Sequence, residues 1–452
     1  MEPSNNAHLQ RRLGLFPLAN IVIANMIGAG IFTTSGLLLA DLKSPMLMIG
    51  LWAAGGLLAL CGALSYSELG AAMPQAGGEY VFLSQLFHPM LGFLSGWVSF
   101  IVGFSAPIAA SALGFSEYFA RAFPQIFEIG AAVGLTDFVV KKLLAILAIL
   151  LFTFIHLRGI SFGAHVQNFL TVLKVGLVLA LIVLGFSLGN GDLDNFSAGA
   201  SLPLNFAGIK TIGLSLMWIM FGYSGWNASV YIGSEIKDPE KNVHRSLLLG
   251  TGIVMVLYIA LNFLFVYAIP PLEMQGVISI GGLAMGKLFG GPMGFLFSLL
   301  ISFALFSSLS AFIILGPRVY YSMAKDGYFF KKIARVNPKY NVPSTAILLQ
   351  AAISIIMVMS GAFDQILTYM GFSLGIFPII AIIGIFKLRR MRSSRRMPGF
   401  PFVQIIYILA AASILVFAFF ERPVESTIAI VTVLIGIPFF ILFQNYNSKM
   451  EA

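Results

Sequence analysis

The sequence predicts an all-α polytopic membrane protein of about twelve transmembrane helices. Three observations carry this. Of 452 residues, 58% are hydrophobic and 10% charged, whereas a soluble domain carries about 25% charged residues. The mean hydropathy is +0.93, and the apolar residues gather in runs of the roughly 20-residue length that crosses a hydrocarbon core. Those runs are continuous rather than alternating, which excludes a membrane β-barrel. The net charge of +9 sits in the short segments between runs. It reads as a topology signal facing anionic headgroups, not as a nucleic-acid surface.

In chain order, Met1 to Arg12 form a polar tail. The apolar run that follows is longer than a signal-peptide core of about 7–15 residues, so it is the first span. Spans are expected at 14–40, 46–70, 89–119, 139–157, 165–188, 208–233, 246–269, 291–323, 344–361, 365–387, 401–420 and 425–444. With the amino terminus inside, 19 lysines and arginines fall in cytoplasmic segments against 7 outside, Lys174 counting in neither. That excess places both termini in the cytoplasm. The basic turn around Arg389, Arg390, Arg392, Arg395 and Arg396 belongs to the inner set. Cys61 is the single cysteine, so no intrachain disulfide and no cysteine zinc site can form.

Two spans carry glycine clusters. The first reads Asn25-Met26-Ile27-Gly28-Ala29-Gly30-Ile31-Phe32 and the sixth Phe221-Gly222-Tyr223-Ser224-Gly225-Trp226-Asn227. Glycine costs about 1 kcal/mol in a helix interior, so each cluster is a weak point. Unwinding there frees backbone groups, which is tolerated only inside protein or along a watery cavity. A helix that restarts offers N–H groups to a carboxylate, and one that stops offers carbonyls to an ammonium. Two facing breaks can therefore hold a zwitterion almost without charged side chains. Small residues also serve close helix packing. Clusters in the first and sixth of ten core spans instead fit an inverted repeat with its site at the repeat interface. The expected organisation is tail 1–12, first repeat 13–188, inverted second repeat 208–387, two further spans in 401–444 and tail 445–452.

Lys174 stands in the middle of an apolar run, about 13 Å from its cytoplasmic end at roughly 1.5 Å per residue. Snorkelling to the headgroups is one reading. The other is a buried ammonium that replaces a metal cation and bridges the first span to hydroxyls of the eighth, Ser307, Ser308 or Ser310. A permanently charged Lys174 makes a brace; one that loses its proton makes a proton coupling. The carbonyls near the breaks favour the brace. Glu68, Glu79 and Glu235 are expected to form interfacial ion pairs and Glu117 to lie on a solvated face. His156 and His165 are expected at the interface, without zinc-ligand spacing. Gly28-Ala29-Gly30 does not extend to a dinucleotide-binding fingerprint.

At these residues the chain resembles amino acid transporters of the APC superfamily, and among them bacterial relatives of the L-type transporters. Ile27 to Phe32 is similar to the family's glycine-small-glycine break. Ser67-Glu68-Leu69-Gly70 to Pro74 and Gly77-Gly78-Glu79-Tyr80 match its loop after the second span. Phe221 to Asn227, then Glu235, Pro239, Asn242 and Arg245, match the sixth span and its loop. Gly316-Pro317-Arg318 with Met323, Ala324, Asp326 and Gly327 match the end of the eighth. The resemblance implies the five-plus-five inverted repeat with two extra spans. It implies a substrate site from Met26, Ile27, Gly28, Ala29, Gly30, Phe221, Gly222, Ser224 and Asn227. The amides of Ala29 and Gly30 would take the carboxylate, and carbonyls of Met26, Phe221 and Ser224 the ammonium. Phe221 would gate the site, and Lys174 would stand where sodium-coupled members hold an ion. Many L-type relatives have serine at the place of Ala29, and glycine at the place of Ser224. The loop at 120–138 has no cysteine, so no disulfide-linked heavy chain is implied.

The expected function is secondary uptake or exchange of amino acids, neutral L-amino acids first, because neither break contains Asp or Glu. The alternative is a cationic amino acid or polyamine antiporter. No cofactor or metal is expected. An intramembrane enzyme lacks a convergent acid, base or metal cluster, and a channel would carry more polar residues along several spans. The expected location is a cell membrane, as in a bacterial inner membrane.

Overall fold

The computed structural model describes residues 9–199, 203, 205–277, 280–290, 293–360, 363–391 and 397–451. Arg392, Ser393, Arg395 and Arg396 of the basic turn, and Met1 to His8 of the tail, lie outside them. Long stretches of apolar side chain without backbone-competing polar groups can close their hydrogen bonds only as helix in lipid. The described residues form helices α1 (Leu15–Met26), α2 (Ala29–Leu42), α3 (Pro45–Ala72), α4 (Glu79–Leu86), α5 (Pro89–Val98), α6 (Ser105–Ala122), α7 (Gln125–Ala132), α8 (Asp137–Leu157) and α9 (Ile160–Leu188). The second half runs α10 (Phe206–Gly222), α11 (Pro239–Ala268), α12 (Pro271–Met274), α13 (Ile280–Phe289), α14 (Met293–Lys325), α15 (Ser344–Ser360), α16 (Phe363–Met391), α17 (Phe402–Glu421) and α18 (Pro423–Glu451). Each expected span contains at least one of them. Nine segments are long and apolar enough to cross a membrane among the described residues. α10 falls short of that length because its span is interrupted. α18 continues through 445–451, which were expected as a tail.

Local signals set the helix starts. Ser44 caps α3 by accepting from the Leu47 amide at 3.4 Å, with Pro45 in the first turn. Asn205 caps α10 through the Gly208 amide at 2.9 Å. α1 stops at Met26, Ile27 and Gly28 are extended, and α2 restarts at Ala29. α10 stops at Gly222, but no α-helix restarts directly behind it. Short 3-10 turns follow at Ala228–Tyr231 and Gly233–Glu235. Of the two restarts that were expected, only the first span has one as α-helix.

The third span differs from its expectation as an uninterrupted helix. A π-helical turn, Ser99–Gly103, separates α5 from α6. Pro107 accounts for the break, because it has no N–H to give the Gly103 carbonyl four residues earlier. Ser105 relieves part of the defect by donating to the Phe100 carbonyl at 2.9 Å.

α1, α3, α6, α11 and α14 pack against one another at the centre, and α8, α9, α17 and α18 flank them. The flanking helices present Leu147, Phe154, Phe169, Leu409, Phe420 and Leu442 outward. A patch of this extent would associate in water; in a bilayer it is the lipid-facing surface.

Two of the expected ion pairs form, and both are largely buried in the bundle. Arg318 holds Glu235 through two bonds of 2.9 and 3.0 Å, with side chains 1% and 0% exposed. Arg389 grips Glu68 through two bonds of 2.6 Å. Beside the first pair, the Arg12 and Leu13 amides donate to the Glu235 carbonyl and the Lys237 amide donates to Leu13. The segment before α1 is thereby laced to the segment after the sixth-span break. Glu117 meets Lys141 at 2.7 Å on a part-exposed face. His165 is exposed, but His156 is buried and bonded to Ser310 at 2.9 Å. α8 carries it against α14 rather than to the surface.

Breaking one half of a buried pair leaves the other charge uncompensated, at about 3–5 kcal/mol. Arg318→Met is expected to lower the detergent Tm sharply. Adding Glu235→Leu to that variant is expected to recover most of the loss; a double variant no more stable than the single one would contradict the pairing argument.

Candidate functional site

The two interrupted spans meet. A Cβ on Gly30 would stand 2.6 Å from the Gly222 Cα, and one on Gly225 would stand 2.7 Å from the Asn25 Cβ. Gly225 also has φ +99°, a conformation that favours glycine. Glycine at these positions lets the start of α2 lie directly on the end of α10. Between them is a cavity of about 160 Å³, lined by Met26, Gly28, Ala29, Gly30, Phe221, Gly222, Ser224 and Asn227. A cavity of roughly 150 Å³ accepts a benzene-sized ligand. Eight of the nine residues expected at the substrate site therefore face one space. Ile27 is the exception: it is 1% exposed and outside the lining, and its carbonyl is turned away toward α9.

Lys174 explains that turn. Its ammonium donates to the Ile27 carbonyl at 2.8 Å, to the Ala24 carbonyl at 3.3 Å and to Ser308 Oγ at 2.9 Å. Ser308 Oγ also lies 2.8 Å from the Ile27 carbonyl. Lys174 is 1% exposed, so it does not snorkel. A lysine ammonium has three donors and no acceptor, and three acceptors from α1, the break and α14 meet them. Of the other two serines expected here, Ser307 is buried with no hydrogen-bond partner for its hydroxyl, and Ser310 bonds His156 instead.

Tyr258 of α11 makes a second tie that the sequence reading missed. Its hydroxyl donates to the Met26 carbonyl and stands 3.1 Å from the Gly222 carbonyl, so one group caps both stopped helices. Met26 thus keeps only part of its accepting capacity for a ligand. The Phe221 carbonyl likewise already receives the Ser224 amide at 3.0 Å. The available signal was a tyrosine in the middle of an otherwise apolar span.

The opposite wall comes from the third span and the loop before it. Ser95, Ser99, Gly103, Phe104 and Pro107 line the cavity, and so does Glu79. Glu79 does not form the expected ion pair: no lysine or arginine lies within ion-pair distance of it among the described residues. Glu79 Oε1 accepts from Tyr66 at 2.8 Å and from the Asn227 amide at 2.9 Å, while Ser95 Oγ stands 3.5 Å from Oε2. The Asn227 amide also donates to the Tyr231 hydroxyl at 3.2 Å. Asn227 is thereby oriented by an acid that neither break contains.

Backbone amides starting one helix half and carbonyls ending two others converge on this cavity. Discontinuous helices of this kind hold substrate between the halves of a secondary transporter. The chain belongs to the amino acid permease family of the APC superfamily, whose sequence profile matches residues 13–441, and it is an amino acid transporter rather than an enzyme. It is 30% identical to the serine/threonine exchanger SteT of Bacillus subtilis (strain 168), over 96% of each chain. It is 29% identical to the b(0,+)-type amino acid transporter 1 of Mus musculus, over 97% of this chain and 89% of that one. It is 26% identical to the large neutral amino acids transporter small subunit 2 of Oryctolagus cuniculus, over 98% of this chain and 82% of that one.

Space at the two glycines of the first break differs. A Cβ on Gly28 meets only Ser308 Oγ at 3.8 Å, whereas on Gly30 it meets backbone. Overpacking of that kind costs about 1–3 kcal/mol. Gly30→Ala is expected to reduce labelled amino acid uptake about tenfold more than Gly28→Ala, measured at matched membrane expression. Equal uptake by the two variants would remove the close approach from the mechanism.

Lys174→Ala removes the ammonium from the Ala24 carbonyl and leaves Ser308 as the side-chain donor to the Ile27 carbonyl. It is expected to abolish most uptake while the protein still reaches the membrane, as read by surface labelling beside transport. Wild-type turnover would show that the brace is dispensable.

Proposed function

We propose that the chain is an exchanger or facilitator of neutral L-amino acids, working by alternating access around the cavity between the first and sixth spans. The observation that carries this reading is the convergence of α1, α2 and α10 backbone ends on a space of about 160 Å³. The amides of Ala29 and Gly30 take the carboxylate, since the first N–H groups of α2 have no partner within the helix. Carbonyls of Met26, Phe221 and Ser224 take the ammonium, with Ser224 the least committed. Phe221, half-buried at the cavity wall, acts as the gate, and Asn227 contacts the side chain. Residues 13–188 and 208–387 act as the two repeats, and both termini face the cytoplasm.

Lys174 supports independence from sodium. Its ammonium occupies the oxygens that a coupling cation would otherwise need, and it braces the first break against Ser308 throughout the cycle. Replacing sodium by choline is expected to leave uptake unchanged. An imposed pH gradient is expected to drive no accumulation without amino acid on the other side. A strict sodium requirement, or accumulation on the gradient alone, would contradict the brace.

The cationic alternative draws on one specific observation, the Glu79 carboxyl in the cavity wall. Against it, that carboxyl already has the neutral donors Tyr66 and Asn227 on Oε1, and a cationic side chain would have to shed its water for one partly engaged carboxyl. In proteoliposomes, unlabelled alanine, serine and leucine are expected to displace a labelled neutral substrate better than arginine or a diamine does. Stronger competition by arginine would replace the neutral reading with the cationic one.

A further inference from the structure

Glu79 is a buried acid that the substrate backbone does not use. It stands at the start of α4, 6% exposed, and is shared by three other segments: Tyr66 of α3, Ser95 of α5, and Asn227 beyond the sixth-span break. A carboxylate offers about four acceptor positions. Tyr66 and Asn227 both donate to Oε1, whereas among the described residues Oε2 has only Ser95, at 3.5 Å, the limit of a hydrogen bond, so Oε2 keeps an open acceptor position. Glu79 lines the same cavity as Gly30 and Phe221. An amino acid held at the breaks by its backbone sends its side chain into this space. Elsewhere the wall mixes apolar side chains such as Met217, Met220 and Phe312 with neutral hydroxyls such as Ser99 and Tyr407, and Glu79 is the one carboxyl among the described lining residues. A hydrophobic wall separates near-isosteres weakly, whereas a site built to bond a hydroxyl or amide rejects the analogue lacking it far more strongly.

We infer that Glu79 is the specificity-determining residue of this carrier: together with Asn227 it reads the far end of the substrate side chain, favouring hydrogen-bond donors and rejecting carboxylates. The inference rests on the neutral amino acid reading above and deepens it. A hydroxyl or amide side chain donates to the open acceptor position. An apolar side chain leaves that position unpaired, at a penalty. An anionic one meets a second carboxyl at close range in a water-poor cavity, where like charges cannot both stay ionised.

The test compares wild type, Glu79→Gln and Glu79→Asp in proteoliposomes preloaded with unlabelled alanine, using labelled threonine, valine and aspartate. Threonine and valine have nearly the same shape, so their KM ratio isolates the hydroxyl. The amide of Glu79→Gln keeps the volume but puts a donor where acceptors are needed. It is expected to move the threonine-to-valine KM ratio about tenfold toward valine and to raise aspartate uptake. Glu79→Asp, which keeps the charge, is expected to return the ratio part of the way. If a variant transports too slowly for KM, stabilisation of the detergent-solubilised protein by threonine against valine gives the same ratio from binding alone. An unchanged ratio, or equal loss for both substrates with no rescue by aspartate, overturns the role of Glu79. Failure of the wild-type protein to move any neutral amino acid overturns the underlying reading instead.

Discussion

Every backbone group released where the first and sixth spans stop has to be met from inside the bundle, because hydrocarbon offers neither donor nor acceptor. Lys174, Ser308 and Tyr258 meet most of them. Lys174 takes the Ala24 and Ile27 carbonyls from one side, and Tyr258 donates its one proton to the Met26 carbonyl from the other, beside Gly222. A helix can be broken in this setting only as far as such partners reach. The groups they leave open, the first amides of α2 and the carbonyl end beyond α10, are those that face the cavity. The same constraint that makes a break costly selects where a ligand can complete it.

That arrangement depends on glycine in a way that differs from position to position. Gly30 and Gly225 have no room for a Cβ against the opposing backbone, while Gly28 has room. Close approach, rather than flexibility, is what the cluster supplies. The third span follows a related logic with proline. Pro107 withholds an amide from Gly103, the helix widens to a π turn, and the loosened wall becomes part of the cavity. Three interrupted spans surround the site, two at glycine clusters and one ahead of a proline.

The buried charges divide by partner. Arg318 with Glu235 and Arg389 with Glu68 are closed pairs with geometry that leaves little for a ligand. Glu79 has hydroxyl and amide partners instead of a cation. Its environment therefore changes with what enters the cavity, as that of a closed ion pair does not. The absence of an acid from both breaks argued for neutral substrates. α4 brings one to the wall from a separate loop, and it is held by neutral donors. The proposal of neutral substrates therefore rests on the whole cavity wall rather than on the breaks alone.

Composition and run length determined by themselves that the chain is a bundle of membrane helices, since about 20 apolar residues in lipid have no other way to satisfy their backbone. The glycine clusters at 25–32 and 221–227 were legible as breaks because propensity is local, and Lys174 was legible because a charge in an apolar run demands a partner. Which partner was a tertiary matter. Ser308 rather than Ser307 faces the ammonium because of the rotation of α14, a quantity that residue spacing on one helix does not contain. The partners of Tyr258 and the turn of Ile27 away from the cavity depend likewise on helices distant in sequence. So does Glu79, read from sequence as an interfacial ion-pair partner. A residue's chemistry is written in its own side chain, but its partners are set by how separate helices pack, and only the folded bundle puts Tyr66, Ser95 and Asn227 around one carboxyl.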